Sequence, residues 1–321
     1  MVEKRFVFLF PGQGAQYPGM GLDFYDISPA AREIFSIASE TLSLDMVSLI
    51  RDSDAEKLRR TDVSQIALTA ASLAAAARLK EKGFTPSICA GFSLGEYPAL
   101  ACAGVIGAGD CFTLVQARGR AMQAAVDRIS GGADSAPGMA AVLGLPPEQV
   151  EGLIAEWEKA GSFPGGLYAA NINSPKQTVV SGTAPALAEA EKRFKKAGAR
   201  RFIRLEVAGP FHSPFMKEAA EAFAPALEKV AFKDPEIALF SNVTGNRVQS
   251  GAEAKSLALR QICEGVRWTD EEAALAAFNP DAVFEAGPGK VLQGLWRDTG
   301  SKVPCRPAGT VDAINELTAE N

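Results

Sequence analysis

Residues 87–103 read SICAGFSLGEYPALACA, and this stretch predicts a strand, an abrupt turn and a helix. Ser87 to Gly91 is short and apolar, as in a buried strand, whereas the residues from Leu94 to Ala103 have a helical composition. The turn between them matches the pattern G-x-S-x-G, whose glycines allow a tight turn that lifts the serine hydroxyl out of the fold. Chance also produces this pattern, but its strand-turn-helix context favours Ser93 as a nucleophile.

A serine hydroxyl is a weak nucleophile unless a base removes its proton, and histidine has a suitable pKa near neutrality. His212 is the only histidine in the chain, and it lies in the constrained loop GPFHSP, residues 209–214. A lone histidine is more often a surface or core residue than a base, so its position alone does not decide its role. An oxyanion hole is also needed, and its candidate donors are the backbone N–H groups of Leu94 and Gln13. The glycine-rich loop around Gln13 is equally well explained as a simple turn.

The flanking sequence predicts a large α/β domain that a smaller domain interrupts. Phe6 to Phe10 is a short apolar run bounded by Pro11-Gly12, which is typical of a strand buried on both faces of a parallel sheet. Between residues 138 and 208 the pattern is strand, helix, strand, strand, helix, strand, which is the βαββαβ order of ferredoxin-like domains. We therefore predict a large domain of residues 1–137 and 209–321 and a small α+β domain of residues 138–208.

A loop rich in Gly, Ser and Asp over residues 130–137 marks the expected boundary between the two domains. The predicted helices cover residues 64–82, 146–160, 184–197 and 213–230. The predicted strands cover residues 6–10, 87–91, 139–143, 167–173, 176–182, 200–207, 237–241 and 282–285.

Composition excludes several classes of protein. The 33 basic and 38 acidic residues give a formal net charge of -5, which offers no electrostatic basis for general nucleic-acid binding. The five cysteines include no C-x-x-C pair, which favours reduced thiols in the cytoplasm, and with one histidine a zinc site is not expected. The apolar run near the N-terminus is too short for a signal peptide, and no stretch is apolar enough to span a membrane. Glycine spacing also excludes P-loop and dinucleotide-binding motifs.

Six motifs together carry a more specific resemblance. They are FPGQG at 10–14, GFSLGEYPAL at 91–100, QARGRAMQ at 116–123, NINSPKQ at 171–177, GPFHSPFM at 209–216 and EAGPGKVL at 285–292. In order and approximate spacing, they resemble the malonyl-CoA:acyl-carrier-protein transacylases over nearly the whole chain. The resemblance implies a hydrolase-like α/β large domain with an inserted ferredoxin-like small domain, which agrees with the pattern of predicted elements.

The resemblance also implies roles for individual residues. Ser93 matches the family's nucleophile, His212 its base, and the Gln13 and Leu94 amides its oxyanion donors. Arg118 matches the arginine that binds the malonyl carboxylate, a task that suits a planar guanidinium with two parallel donors. Without the resemblance, an arginine on a helix is usually a solvated surface charge.

Further positions follow from the same motifs, although packing or turn formation is an equally ordinary explanation for them. Met122 lies one helical turn after Arg118 and is expected to line the acyl pocket. Asn171 and Asn173 match a wall of the substrate cleft, and Phe211, with Leu94, fits the malonyl-preferring pattern. A backbone carbonyl near Arg267 is expected to orient the histidine. The chain departs from most relatives at Phe92, where they have histidine, and this difference bears on the packing and polarity around the turn.

The implied reaction moves a malonyl group from malonyl-CoA, through a malonyl-serine, to the phosphopantetheine thiol of an acyl carrier protein in fatty acid biosynthesis. The chain needs no cofactor of its own, because the partner carries the phosphopantetheine, and a monomer is expected. Basic candidates for docking the acidic carrier are Lys192, Lys195, Lys196, Arg200, Arg201 and Lys290. Alternatives are a serine esterase or thioesterase, an acyltransferase serving a polyketide synthase, and a catalytically idle carrier-binding module.

Overall fold

The computed structural model describes residues 4–129, 137–163, 166–205 and 209–319. The strands are β1 Phe6–Phe10, β2 Pro86–Gly91, β3 Gly138–Leu143, β4 Leu167–Ser174, β5 Gln177–Gly182, β6 Arg201–Arg204, β7 Ala238–Leu239, β8 Ala282–Glu285 and β9 Cys305–Pro307. The helices are α1 Leu22–Ile27, α2 Pro29–Leu42, α3 Met46–Asp52, α4 Ala55–Arg59, α5 Thr61–Glu81, α6 Glu96–Cys102, α7 Ala108–Ile129, α8 Pro147–Lys159, α9 Ala184–Lys196, α10 Lys217–Glu228, α11 Gly251–Arg260, α12 Trp268–Ala277, α13 Val291–Trp296 and α14 Val311–Ala319. Short 3-10 turns cover Ser93–Gly95, Pro214–Met216 and Arg297–Thr299.

The first sheet has the order β7-β2-β1-β8-β9, and all of its strand pairs are parallel. Its central strand β1 is FVFLF, and all five residues are buried, as expected for a strand covered on both faces. Parallel strands bring their carboxyl ends to one edge, so the loops after β1, β2 and β7 meet there. The predicted α/β fold with a parallel sheet is confirmed.

Helix α5 is the buried support of this domain. It is rich in alanine, and its residues from Ser64 to Ala76 are all buried between α2 and α7. Small side chains let α7 come close: a Cβ at Gly119 would lie 3.0 Å from the carbonyl oxygen of Thr61. Because Gly119 follows Arg118 in the chain, this close packing also fixes where the arginine lies.

The second sheet is antiparallel, with the order β4-β5-β3-β6. Helices α8 and α9 cover one face and form a separate core that includes Val150, Trp157, Leu187 and Phe194. The strand order is the one that the βαββαβ pattern produces in a ferredoxin-like domain, so this part of the prediction is also confirmed. On the other face, residues such as Met139 and Val179 join the core of the large domain.

Several predicted limits differ from the structure. The helix expected over 213–230 starts as a 3-10 turn, and α10 proper runs from Lys217 to Glu228. The strand expected over 237–241 is only Ala238–Leu239, because the next residue, Phe240, bridges antiparallel to Arg247. The boundary loop predicted over 130–137 lies outside the described residues, except for residue 137. The last two residues of the predicted strand 200–207 also lie outside them. The domain limits at 138 and 208 stay a prediction. None of the helices described here is long and apolar enough to cross a membrane.

Candidate active site

Ser93 lies at the carboxyl end of β2, where the chain turns abruptly into α6. Its φ of 52° is in the left-handed region, which costs a non-glycine residue about 1–3 kcal/mol. The glycines on both sides are required by space, because a Cβ at Gly91 would overlap the carbonyl of Gly95 and one at Gly95 would overlap that of Phe10. The turn thus presents the serine hydroxyl at the edge of the sheet where the other loops converge.

Asn242 holds this strained turn from the loop after β7. Its side-chain Oδ1 accepts the backbone N–H of Ser93 at 2.7 Å, and its Nδ2 donates to the carbonyl of Gly91 at 2.7 Å. The same Nδ2 donates to Glu271 Oε1 at 2.7 Å, and the Asn242 backbone N–H donates to Glu96 Oε1 at 2.8 Å. Asn242 is fully buried, so each of these bonds is protected from water.

His212 contacts the serine directly. Its Nε2 lies 2.7 Å from Ser93 Oγ, and its Nδ1 lies 2.8 Å from the backbone carbonyl of Gln261. A carbonyl can only accept, so Nδ1 carries the proton and the Nε2 lone pair faces the serine. The histidine also has a left-handed φ, 54°, and its loop is held by Ser181 Oγ, which donates to the Phe211 carbonyl at 2.8 Å.

The expectation that a carbonyl near Arg267 orients the histidine is wrong. The residue in that position is Gln261, at the end of α11, six residues earlier in the chain. Arg267 instead donates its backbone N–H to the Asn242 carbonyl at 2.7 Å, and its side chain pairs with Glu151 and Asp270. The segment before it is diverted toward the small sheet, because Val266 bridges to Asn171.

Burial decides the charge of His212. The residue is 4% exposed, and burial together with the nearby Arg118 guanidinium lowers its pKa from 6.5 to about 4. The imidazole is therefore neutral at pH 7 and able to accept the proton of Ser93.

Arg118 is a fully buried cation whose Nη2 donates to Gln261 Oε1 at 2.9 Å. Its Nε and Nη1 have no hydrogen-bond partner within the described part of the chain. The guanidinium carbon lies 5.4 Å from the ring centroid of Tyr97, and burial lowers the arginine pKa. Since unpaired buried donors are costly, the site is suited to an anionic group that supplies the missing acceptors.

These residues open onto a cleft of about 730 Å³ between the two sheets. Arg118, Met122, Leu94 and His212 are buried at its floor, whereas Gly14, Ala55 and Arg59 are exposed at its rim. The Oδ1 atom of Asn173 is buried there without a partner in the described residues. All nine residues predicted for the site line this one cleft, namely Gln13, Ser93, Leu94, Arg118, Met122, Asn171, Asn173, Phe211 and His212. Their individual roles stay predictions.

Phe92, where the chain departs from the family motif, also lines the cleft and packs edge-on against Trp268, with ring centroids 5.4 Å apart.

The basic residues predicted to dock the carrier differ in their ion pairing. Lys192 and Lys195 already pair with glutamates on α9, while Lys196, Arg200, Arg201 and Lys290 are exposed.

No sequence pattern indicated the groups that support the site. Asn242, Gln261 and Glu271 are single polar residues far from the serine in the chain, and no local pattern distinguishes them. Glu96 lies inside the motif GFSLGEYPAL, so the motif could have drawn attention to it. Its hydrogen-bond partners, however, are known only from the folded structure. Burial raises the pKa of this carboxyl to about 7.

Comparison with known proteins identifies the family of the chain. The family model described as acyl transferase domain matches residues 7–316. The malonyl CoA-acyl carrier protein transacylase of Bacillus subtilis strain 168 is 40% identical, covering 99% of both chains, and that of Escherichia coli K12 is 35% identical, covering 98% of this chain and 97% of the relative. A crystal structure from Streptococcus pneumoniae superposes with a TM-score of 0.90 at 35% identity, covering 99% of this chain and all of the other. A malonyl-transacylase in complex with a type II PKS acyl-carrier protein gives 0.88 at 33% identity, covering 99% and 100%.

Proposed function

This chain belongs to the acyl transferase domain family, among the malonyl-CoA:acyl-carrier-protein transacylases, and from that premise we propose the reaction that its site carries out. It transfers the malonyl group of malonyl-CoA to the phosphopantetheine thiol of acyl carrier protein through a malonyl-serine intermediate. The observation that carries the proposal is a serine–histidine pair in contact at 2.7 Å, in one cleft with a buried arginine whose Nε and Nη1 have no hydrogen-bond partner among the described residues.

In the first half-reaction His212 Nε2 takes the proton of Ser93 Oγ as this oxygen attacks the thioester carbonyl. The negative charge that develops on the carbonyl oxygen is assigned to the backbone N–H groups of Gln13 and Leu94, which border the same cleft. The intermediate collapses with release of CoA, whose thiolate takes the proton from the imidazolium. The Gln261 carbonyl keeps the imidazole in the required tautomer throughout.

In the second half-reaction His212 removes the proton of the phosphopantetheine thiol, which then attacks the malonyl ester of Ser93. The ester bond breaks, and Ser93 Oγ recovers its proton from the imidazolium. The base acts in both halves because its single Nε2 lone pair faces the site where the two thiols arrive in turn. No group beyond the two substrates and these side chains is required, so we propose a transferase without a cofactor of its own.

Arg118 gives the site its preference for a diacid. The malonyl carboxylate accepts from one of the unpaired donors, Nε or Nη1, and from the second Nη2 hydrogen, and this bidentate contact through one edge of the guanidinium fixes the thioester near Ser93. An acetyl group leaves those buried donors unpaired, which is costly.

Three finer points belong to the same proposal. The proposed carrier is one of fatty acid synthesis, as the resemblance implies, and the type II PKS carrier that one matched structure holds is the alternative. We also propose that the protein is monomeric. A cytoplasmic location is proposed from its five free cysteines, all of which lie in described residues.

One experiment tests the function against its nearest rival, a thioesterase. The protein is mixed with malonyl-CoA with and without holo acyl carrier protein, and both CoA release and the mass of the intact protein are followed. We expect one equivalent of CoA and a malonyl adduct without carrier, then turnover when carrier is added. Ser93→Ala should lose the adduct. Continuous CoA release without carrier would instead identify a hydrolase, and absence of any adduct would overturn the mechanism.

A further inference from the structure

Gln261 is fully buried at the end of α11 and contacts three of the predicted functional residues. Its backbone carbonyl serves His212, as described above, but its side chain makes a separate set of bonds. The Oε1 atom accepts from Arg118 Nη2 at 2.9 Å, and Nε2 donates to the backbone carbonyl of Ser93 at 2.8 Å. Nε2 also donates to the Oε2 atom of Glu96.

The orientation of this amide follows from its neighbours. Arginine has only donors, so the oxygen of the amide must face Arg118. The backbone carbonyl of Ser93 can only accept, so the nitrogen must face it, and the Oε2 atom of Glu96 lies on the same side. The opposite orientation would set donor against donor at Arg118 and acceptor against acceptor at Ser93, where both Gln261 and Arg118 are fully buried.

Given the transferase reaction proposed above, we propose that the Gln261 side chain is a positioning residue that couples recognition of the malonyl carboxylate to the placement of the nucleophile. On one side it takes one of the two Nη2 hydrogens of Arg118 and fixes the rotation of the guanidinium. One two-donor edge of the guanidinium then remains for the substrate. On the other side the same amide fixes the carbonyl of Ser93, within the strained turn.

Glu96 completes the connection. Its Oε1 accepts the Asn242 backbone N–H and its Oε2 accepts from Gln261, so the two polar residues that bind the turn share one buried carboxylate. Loss of the Gln261 amide therefore displaces the guanidinium of Arg118, and this changes where the malonyl carboxylate binds. The backbone of Ser93 also loses one of its hydrogen bonds. Gln261 thus acts on selectivity through Arg118 and on rate through Ser93.

Gln261→Met tests the proposal, because methionine has a similar shape, removes every side-chain hydrogen bond and retains the backbone carbonyl for His212. Acylation of Ser93 is measured in single turnovers with malonyl-CoA and with acetyl-CoA. Loss of a charged, buried hydrogen bond lowers kcat/KM for malonyl-CoA by about 10- to 100-fold, and the malonyl-to-acetyl preference by at least about 10-fold. The pH profile of acylation should not change, since the contact of His212 Nδ1 remains.

Two further variants keep the test decisive. Gln261→Glu retains an acceptor for Arg118 but places a carboxylate on it, so malonyl transfer should fall and the malonyl-to-acetyl preference with it. In an Arg118→Ala background, Gln261→Met should change that preference no further, because its effect on selectivity passes through the guanidinium. Gln123→Met is the matched control: Gln123 is also buried, on the same helix as Arg118, and its bonds go to Thr61 and Asp127. Its substitution should leave the preference unchanged.

The outcomes separate this proposal from the function on which it rests. If the unmodified protein forms no malonyl adduct, the transferase proposal fails. If it forms the adduct but both Gln261 variants keep the malonyl-to-acetyl preference within about twofold, the coupling role is wrong. Equal loss for both substrates would reduce Gln261 to a structural support. Melting temperatures of the variants show whether each one folds, and Gln261→Glu replaces Gln261→Met if the latter does not.

Discussion

The protonation of His212 gives the most quantitative prediction. Burial and the Arg118 charge place its pKa at about 4, against an ordinary value of 6.5. This difference corresponds to about 3 kcal/mol against the imidazolium, at 1.36 kcal/mol for each pKa unit. Because the base must be neutral to accept the serine proton, kcat/KM for acylation should stay level from pH 8 to pH 5. It should then fall with an apparent pKa of about 4.

The assay is a pH jump. The protein is held at pH 7 and brought to the assay pH only for a single turnover, in which CoA release is followed. Acetyl-CoA serves as a control substrate, since it has no carboxylate that titrates in the same range. Arg118→Met removes the nearby positive charge, so its acid limb should move upward from pH 4 toward the ordinary value of histidine. With malonyl-CoA, saturation should have a similar effect, because the bound carboxylate neutralises the guanidinium.

Two results would refute this reasoning. An acid limb near pH 6.5 in the unmodified protein would mean that burial does not shift the histidine. An unchanged limb in Arg118→Met would mean that the guanidinium charge has no influence on it. Stability offers an independent check, because the unfolded chain binds a proton between pH 6.5 and about 4 that the folded protein does not. The free energy of unfolding should thus fall by up to about 3 kcal/mol as the pH is lowered through this range, and His212→Gln should lack that part of the loss.

Three other variants test the remaining parts of the site. Arg118→Ala should reduce kcat/KM for malonyl-CoA at least about 100-fold, with a much smaller effect on acetyl-CoA, since two charged hydrogen bonds are lost; equal losses would contradict its role in selectivity. Asn242→Leu should lower the single-turnover acylation rate about 10- to 100-fold with little change in KM, because it removes the acceptor of the Ser93 N–H; an unchanged rate would mean that the turn holds itself. Phe92→His should retain acylation within a few-fold while lowering the unfolding free energy by about 1 kcal/mol, the scale of its ring contact with Trp268; loss of acylation would show that the phenylalanine is required.

Local patterns predicted the elements whose structure is decided locally. The apolar run of β1 and the glycines of the Ser93 turn can be recognised from adjacent residues in the sequence, and both were located correctly. The order of elements in the small sheet was also predictable, since alternation along 138–205 follows the burial of each face. The length of strand β7 was overestimated, because only two of its predicted residues pair with β2. That pairing depends on the tertiary fold and leaves no local pattern. The helices between residues 22 and 59 were not predicted.

In the candidate site, too, some residues could be predicted from motifs and others depend on the tertiary fold. Ser93, Arg118 and His212 stand in motifs that resemble a family, so their meeting in one cleft could be anticipated. The groups that hold them could not, because Asn242 and Gln261 lie 149 and 168 positions from Ser93 and contact the site only in the folded chain. Both Ser93 and His212 have left-handed backbones, a conformation that persists only where the surroundings over-determine it. Asn242 supplies that constraint at the serine and the Ser181 hydroxyl contributes it at the histidine loop, so the geometry of the serine–histidine pair depends on residues that no motif contains.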